Sequence, residues 1–534
     1  MTLLAGVSLL TLMSCRTLPE GSSPPATAQH RETALASALA QAETASAGDL
    51  QSEAGRSAYS QAVAQVVMLW QQDQKVPARD VATTVRRDGG AYRLTATWPR
   101  YLKFDELLAV TPLEKRRLKQ IVTHEGVGAP LVASWEYTEE RKKTEPFLSE
   151  GGYVAPVTVT LAFRKQSQGA REVVLQVHDP REEESVVLGG RRQPLYADFS
   201  AVSEYILIKS KDKQVGMSGL AALRQSEKYL DKLGLLSLEP PSSNRIPVIF
   251  VHGLMSRPLT WHNAFNELSA DPVIRKNYQI YFFRYPSGVP VIYSSAKFRA
   301  QLVTLQNELH GVGNHRAEKH MVVIGHSMGG LVTKLQLQSS GDRIWISVFG
   351  DKPDALGLTP EERANFQQYL EFRPNPNIER VIFVCTPHRG SSMAVGVVGA
   401  IGRRLVHLPG TLMGNTFDLL QGQAPRNSFV QQLVQKGLPS SIDNLSPKSK
   451  FVKESMQLPV NPGVHIHSIV GNKSGRLLTD PKCSDGVVPY SSAHLDGVES
   501  ELVVHSNHGA HERPEAIAEM RRILLLHLKT VSAR

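Results

Sequence analysis

Cysteine is scarce in this chain: three residues in 534, at Cys15, Cys385 and Cys483. So few, and so far apart, they exclude a disulfide framework. Long hydrophobic runs are missing too. No apolar stretch reaches the roughly 18 residues that a spanning helix needs, which excludes a channel or polytopic transporter. Charge of one sign is nowhere concentrated. The net charge of +10 is spread over short clusters at 115–117, 191–192, 403–404 and 521–522. They have little aromatic interleaving, so no nucleic-acid partner is expected. No repeat of fixed period occurs. What is present, 41% hydrophobic and 21% charged residues, is the composition of a soluble globular protein with room for two or three domains.

The beginning of the chain reads as an export address. Residues 3–13 are a short apolar segment ending in Leu12-Met13-Ser14-Cys15, and a Pro/Ser/Thr/Ala-rich stretch follows at 19–28. An apolar region of about ten residues is too short to span a bilayer but suits a signal peptide. The Leu-x-small-Cys ending resembles the lipobox of bacterial lipoproteins. That resemblance implies a signal peptide over 1–15, a lipid on Cys15, and a body anchored to a membrane of the cell envelope. The pattern departs in one respect, since no Lys or Arg precedes the apolar run. The alternative reading is a buried N-terminal helix.

Composition then changes along the chain. Residues 16–78 read as a linker followed by an Ala-rich helical segment ending near Trp70. Short alternating runs at 92–98, 157–163 and 172–177 have strand patterning and predict an antiparallel, β-rich accessory domain over 79–238. A helix over about 218–232 leads into Glu239-Pro240-Pro241-Ser242-Ser243-Asn244, a boundary. From 245 onward, fully apolar runs at 246–251, 279–283, 321–324, 381–384, 464–470 and 501–504 alternate with helical stretches. This predicts a doubly wound α/β domain over 245–534, its mostly parallel sheet covered on both faces. The last helix, from Pro514, carries Ile517, Met520, Leu524 and Leu528 on one stripe.

Within that domain, the apolar run at 321–324 enters Gly325-His326-Ser327-Met328-Gly329-Gly330 and then a helix. This is G-x-S-x-G in a strand–turn–helix setting. The serine sits on a strained turn that exposes its hydroxyl, and flanking glycines remove steric clashes with neighbouring backbone. Ser327 is the expected nucleophile. A second apolar strand ends in Val251-His252-Gly253-Leu254-Met255, where the other half of an oxyanion hole is expected. The amides of Leu254 and Met328 are its candidate donors, and His252 is expected to be structural.

A serine hydroxyl needs an imidazole to take its proton and a carboxylate to hold the imidazole's tautomer. In chain order the acid should follow a late strand. Asp485, in Asp485-Gly486-Val487-Val488-Pro489, is the first candidate, ahead of Asp480 and Asp496. The base should follow the last strand, where His505, His508 and His511 cluster; His508 is the choice and His511 the second. With His465 and His467 these histidines also invite a metal reading, but no H-E-x-x-H helix or cysteine pair supports it. Neither metal nor cofactor is expected.

With these elements in order, 245–534 resembles the α/β-hydrolase superfamily, and within it the lipase-like serine esterases that include the GPI-inositol-deacylase-like group. Further shared features are Phe283-Arg284-Tyr285-Pro286-Ser287-Gly288 and Thr386-Pro387-His388-Arg389-Gly390-Ser391. The resemblance implies an esterase acting through an acyl-enzyme on lipid or other acyl-ester substrates. An acyltransferase using the same triad, or an envelope binding or scaffold protein with a vestigial site, are the alternatives. Apolar, glycine-containing pieces inserted at 391–460 suit a lid over an acyl pocket, or equally an extra structural helix pair. The accessory region resembles no family.

Overall fold

Two separate sheets organise the chain in the computed structural model, which describes residues 28–72, 77–109, 118–167, 169–212, 226–310, 315–392, 396 and 441–532. The export segment with Cys15, and 393–395 and 397–440 of the proposed lid at 391–460, lie outside the described residues. No described helix is long and apolar enough to cross a membrane.

The N-terminal unit begins with two helices, α1 (Ala28–Ala47) and α2 (Glu53–Gln71). The Ser52 side chain caps α2 by accepting from the Gly55 amide at 3.1 Å. Tyr59, Val63, Val66, Val67 and Trp70 then form one buried stripe on α2. Ten strands follow: β1 (Ala82–Arg87), β2 (Gly90–Thr97), β3 (Glu106–Leu108), β4 (Thr123–His124), β5 (Ala129–Trp135), β6 (Tyr153–Ser167), β7 (Ala170–His178), β8 (Ser185–Leu188), β9 (Arg191–Pro194) and β10 (Ala197–Asp198). Six of them make a sheet in the order β1-β2-β7-β6-β5-β3, while β4–β10 and β8–β9 are separate ribbons.

Two expectations are corrected here. The accessory sheet is mixed, because β2 and β7 run parallel where the β1–β2 and β6–β7 hairpins meet side by side. And the helical segment expected within 16–78 is part of this unit and not separate from it: α1 and α2 share one hydrophobic core with this sheet. The Tyr59 hydroxyl fastens α2 to it, donating to the Leu161 carbonyl at 3.0 Å and accepting the Leu161 amide at 2.8 Å.

The second sheet comprises β11 (Gly234–Ser237), β12 (Ile246–Val251), β13 (Tyr278–Arg284), β14 (Met321–His326), β15 (Ile378–Val384), β16 (His465–Gly471) and β17 (Ser500–Val504). Their order is β11-β13-β12-β14-β15-β16-β17. All neighbours are parallel except β11, which pairs antiparallel with β13 at the edge. Every residue of β12, β13, β14 and β15 is buried, as a sheet covered on both faces requires. One face carries the helices Val291–His310, Met328–Lys334 and Arg343–Phe349. The other carries His262–Ala270, Pro272–Asn277 and Pro514–Ser532, the last buried through Ile517, Met520, Leu524 and Leu528. This is the α/β-hydrolase fold.

The boundary expected at 238 is also corrected. β11 belongs to the second sheet, so the accessory unit ends before Gly234. The Pro-rich segment after it is tied down, with Gln279 Nε2 donating to the carbonyls of Glu239 and Pro240 at 3.3 and 2.9 Å. Most of the helix expected over 218–232 lies outside the described residues, and its described part is a 3-10 turn at Ser226–Tyr229.

Replacing Tyr59 by Phe keeps the ring but leaves both the amide and the carbonyl of Leu161 without their partner in a buried site. The expected cost is about 1–3 kcal/mol. It should be read as a lower urea midpoint with unchanged denaturant slope.

Candidate active site

β14 ends at His326, and the backbone then turns abruptly. Ser327 has φ 54° and ψ −125°, a conformation that a non-glycine residue holds only when its surroundings enforce it. The enforcement is visible: the Ser327 amide donates to Val384 O of β15 at 2.8 Å, and the helix Met328–Lys334 starts at the next residue. The glycines make the turn possible. A Cβ at position 325 would lie 2.8 Å from the Gly329 carbonyl oxygen, and one at 329 would lie 2.4 Å from the carbonyl oxygens of Val251 and His252. A Cβ at 330 would overlap the Thr386 side chain.

Two further loops meet Ser327 from the same edge of the sheet. Asp485 follows β16 and is 2% exposed. Its Oδ1 accepts the amides of Val487 and Val488, each at 2.7 Å, which fixes the carboxylate. Its Oδ2 lies 2.7 Å from His508 Nδ1. His508 follows β17, and its Nε2 is 2.8 Å from Ser327 Oγ. With a carboxylate facing Nδ1, that nitrogen carries the proton and Nε2 offers its lone pair to the hydroxyl. The three residues drawn from the sequence as nucleophile, acid and base are therefore in one hydrogen-bonded line.

The other candidates fall elsewhere. Asp480 is fully occupied on the surface, bonded to Arg476 at 2.9 Å and to the Lys482 amide at 2.8 Å. Asp496 and His505 are exposed. His511 is 4% exposed and bonded to Thr260 Oγ1 at 2.8 Å, with Trp261 edge-on at 5.1 Å. Burial, with His508 close by, holds its pKa down at about 3. His252 is wholly buried, stacked on Tyr285 at 4.4 Å, and burial lowers its pKa to about 4. Both are neutral structural groups at ordinary pH.

The loop bearing Leu254 is pressed against the nucleophile: a Cβ on Gly253 would come within 3.0 Å of Ser327 Cβ. Met255 is held at φ 55°. The motif after β13, quoted above without a role, clamps this loop. Tyr285 Oη donates to His252 O at 2.7 Å, and Ser287 Oγ accepts the Met255 amide at 3.0 Å. The Thr386–Ser391 loop braces the acid loop in the same way, with the Ser391 hydroxyl donating to the Val487 carbonyl. Sequence reasoning did not find these bracing roles, because each partner lies on a different loop. Met328 is wholly buried at the start of its helix and Leu254 is half-buried.

Cys385, 1% exposed and at φ 48°, lies beside the acid, and burial together with the Asp485 carboxylate pushes its thiol pKa well up. Cys385, Asp485 and His508 bring three ligand-type atoms within 4.8 Å of one another. A cation there would have to displace the Asp485–His508 hydrogen bond. His465 and His467 are far along β16 and engage Glu499 and Ser500, each at 2.7 Å. Beside His508 opens a cleft of about 740 Å³, lined among others by Lys119, Lys473, Asn507 and Arg513.

No family model matches the chain, and no curated protein matches it either. Solved structures are similar over about half of it. A lipase of Bacillus licheniformis in its mature form is 17% identical, covering 55% of this chain and 97% of its own, with a TM-score of 0.31. EstA of Clostridium botulinum is 15% identical over 53% of this chain and 89% of its own, with a TM-score of 0.30. Phospholipase PlaB of Legionella pneumophila is 18% identical over 47% of this chain and 45% of its own, with a TM-score of 0.27.

The buried histidines make the fold acid-sensitive. In the unfolded chain an imidazole takes its proton near pH 6.5, whereas His252 and His511 resist protonation down to about 4 and about 3. Between those limits the unfolded state holds more protons, so stability falls as the pH is lowered below about 6.5. Replacing His511 with Gln keeps a polar partner for Thr260 but removes one titrating group. The stability-versus-pH slope from urea titrations between pH 6 and 4 should then flatten by about 1.4 kcal/mol per pH unit. An unchanged slope would contradict this assignment.

Proposed function

We propose that the protein is a serine hydrolase that cleaves carboxylic esters, acting on lipid or other acylated substrates. The observation that carries this reading is the line Asp485–His508–Ser327, bonded at 2.7 and 2.8 Å on loops that follow β16, β17 and β14. Ser327 Oγ attacks the ester carbonyl carbon while His508 Nε2 takes the hydroxyl proton. Asp485 keeps the imidazole oriented and stabilises its positive charge. The amides of Leu254 and Met328 receive the negative charge that develops on the carbonyl oxygen. The tetrahedral intermediate collapses, the leaving alcohol takes the proton from His508, and an acyl group remains on Ser327. Water, activated by the same imidazole, then releases the acid and restores the hydroxyl.

The mechanism uses no metal and no cofactor. The strained turn and the close approach of Gly253 to Ser327 support the oxyanion assignment. The lipid on Cys15, which would hold the catalytic body at a membrane face of the envelope, is part of this proposal and rests on the sequence alone.

Assayed on p-nitrophenyl esters of graded acyl length, Ser327→Ala should lower kcat on the order of 10⁴-fold or more, and Asp485→Asn by a comparable factor with little change in KM. If wild type and Ser327→Ala hydrolyse every chain length equally slowly, the esterase reading is wrong. For the anchor, mass spectrometry of the protein isolated from membranes should find a diacylated Cys15 as the N-terminal residue; an unmodified Cys15 defeats it.

A further inference from the structure

The accessory unit and the hydrolase domain are joined by main-chain hydrogen bonds. Val154 N donates to Leu238 O at 2.7 Å, and Ser237 N to Phe147 O at 2.9 Å. Beside this seam the two units do not close. They leave a cavity of about 140 Å³, walled by Val154 and Ile206 from one side and by Leu238, Phe265 and Phe282 from the other. A second chamber of about 50 Å³ shares Val154, Leu238 and Phe265 with the first. The two chambers therefore adjoin at three apolar side chains, but the second is also lined by Arg181, Glu239, Arg245 and Arg275, so the apolar space is the first chamber. A predominantly apolar cleft with a few polar groups on its wall is the usual form of a small-molecule site.

The polar groups on the wall point to the other end of such a ligand. Ser203 is 2% exposed, and its hydroxyl has no partner among the described residues. Arg257, three residues beyond Leu254, also lines the cavity; its carbonyl accepts the Thr260 amide at 3.0 Å, and its guanidinium makes no hydrogen bond or ion pair among the described residues. Nearby, Arg284 is neutralised by Glu150 at 2.6 Å, while Lys209 Nζ donates to Tyr205 Oη at 2.9 Å. The wall therefore carries Lys209, Arg257 and Arg284 against Glu150, an excess of positive charge beside an apolar interior. None of these residues belongs to the Ser327 line.

We propose that this interdomain cavity is a binding site for a fatty carboxylate, its acyl chain in the apolar first chamber and its carboxylate on Arg257. The inference does not rest on the esterase reading. It assigns the accessory unit a role, supplying half of the walls of a lipid-binding site.

The test is calorimetric titration of the full chain with hexanoate, octanoate, decanoate and decylamine. Saturable binding of the carboxylates is expected, tightening about fourfold per added methylene until the first chamber is full. Decylamine, with the same tail and the opposite charge, should bind at least about tenfold more weakly than decanoate. Arg257→Gln should weaken decanoate about tenfold and Arg257→Lys recover part of the loss; Ser203→Leu should abolish binding by filling the first chamber. Absence of saturable binding, equal affinity for decanoate and decylamine, or decanoate binding unchanged in Arg257→Gln each overturns the proposal. If Ser203→Leu does not fold, the arginine variants and the head-group comparison decide. Ester hydrolysis is not read in this assay, so a failure here and a failure of the proposed function are distinguishable.

Discussion

A single backbone conformation, the positive φ of Ser327, governs how this domain is put together. Such a conformation costs on the order of 1–3 kcal/mol for a residue with a side chain and persists only because its neighbours leave no alternative. β14 runs between β12 and β15 in parallel register, so its end is fixed from both sides. The helix that follows must start at once in order to pack on the sheet. Between strand and helix there is space for glycine and nothing larger at 325, 329 and 330. The hydroxyl is the consequence of these constraints, since it projects from the tightest point of the turn toward the edge where the other loops emerge.

Those loops brace one another rather than standing on the sheet alone. The segment after β13 holds the loop after β12 through Tyr285 and Ser287, and the segment after β15 holds the acid loop through Ser391. His326 closes the circuit, its Nε2 lying 2.9 Å from the carbonyl oxygen of His508. The buried, neutral rings of His252, His326 and His511 fill the space beneath the site. Uncharged, they contribute packing and hydrogen bonds without competing with His508 for the Asp485 carboxylate. The histidines around His508 are too deeply buried to carry charge.

The central strands and the turn at Ser327 were legible because their signals are local. A run such as Ile246–Val251 has no polar residue to place in water, and the elbow encodes its own turn chemistry within six residues. Asp485 and His508 could be drawn from chain order and from the motifs around them, although their pairing is a long-range fact. Less was legible where the information is spread. β11 is four residues long with half of them part-exposed, too brief for any periodicity. The parallel pairing of β2 with β7 leaves the same alternation as an antiparallel one. That α1 and α2 share a core with the accessory sheet was hidden because an Ala-rich amphipathic helix does not name the surface that covers it. The roles of Tyr285, Ser287 and Ser391 stayed hidden for a related reason, each depending on a main-chain group in another loop.

Ser327 and His508 are separated by 181 residues of chain. The turn at Ser327, its glycines and the loop after β12 are all synthesised before His508, which follows β17, the strand that pairs with β16. A nascent chain therefore carries the shaped turn before its histidine partner, and the Ser327–His508 hydrogen bond forms only as the sheet closes at its far edge. Contacts of such long range form slowly, so the Ser327–His508 hydrogen bond waits on the far edge of the sheet.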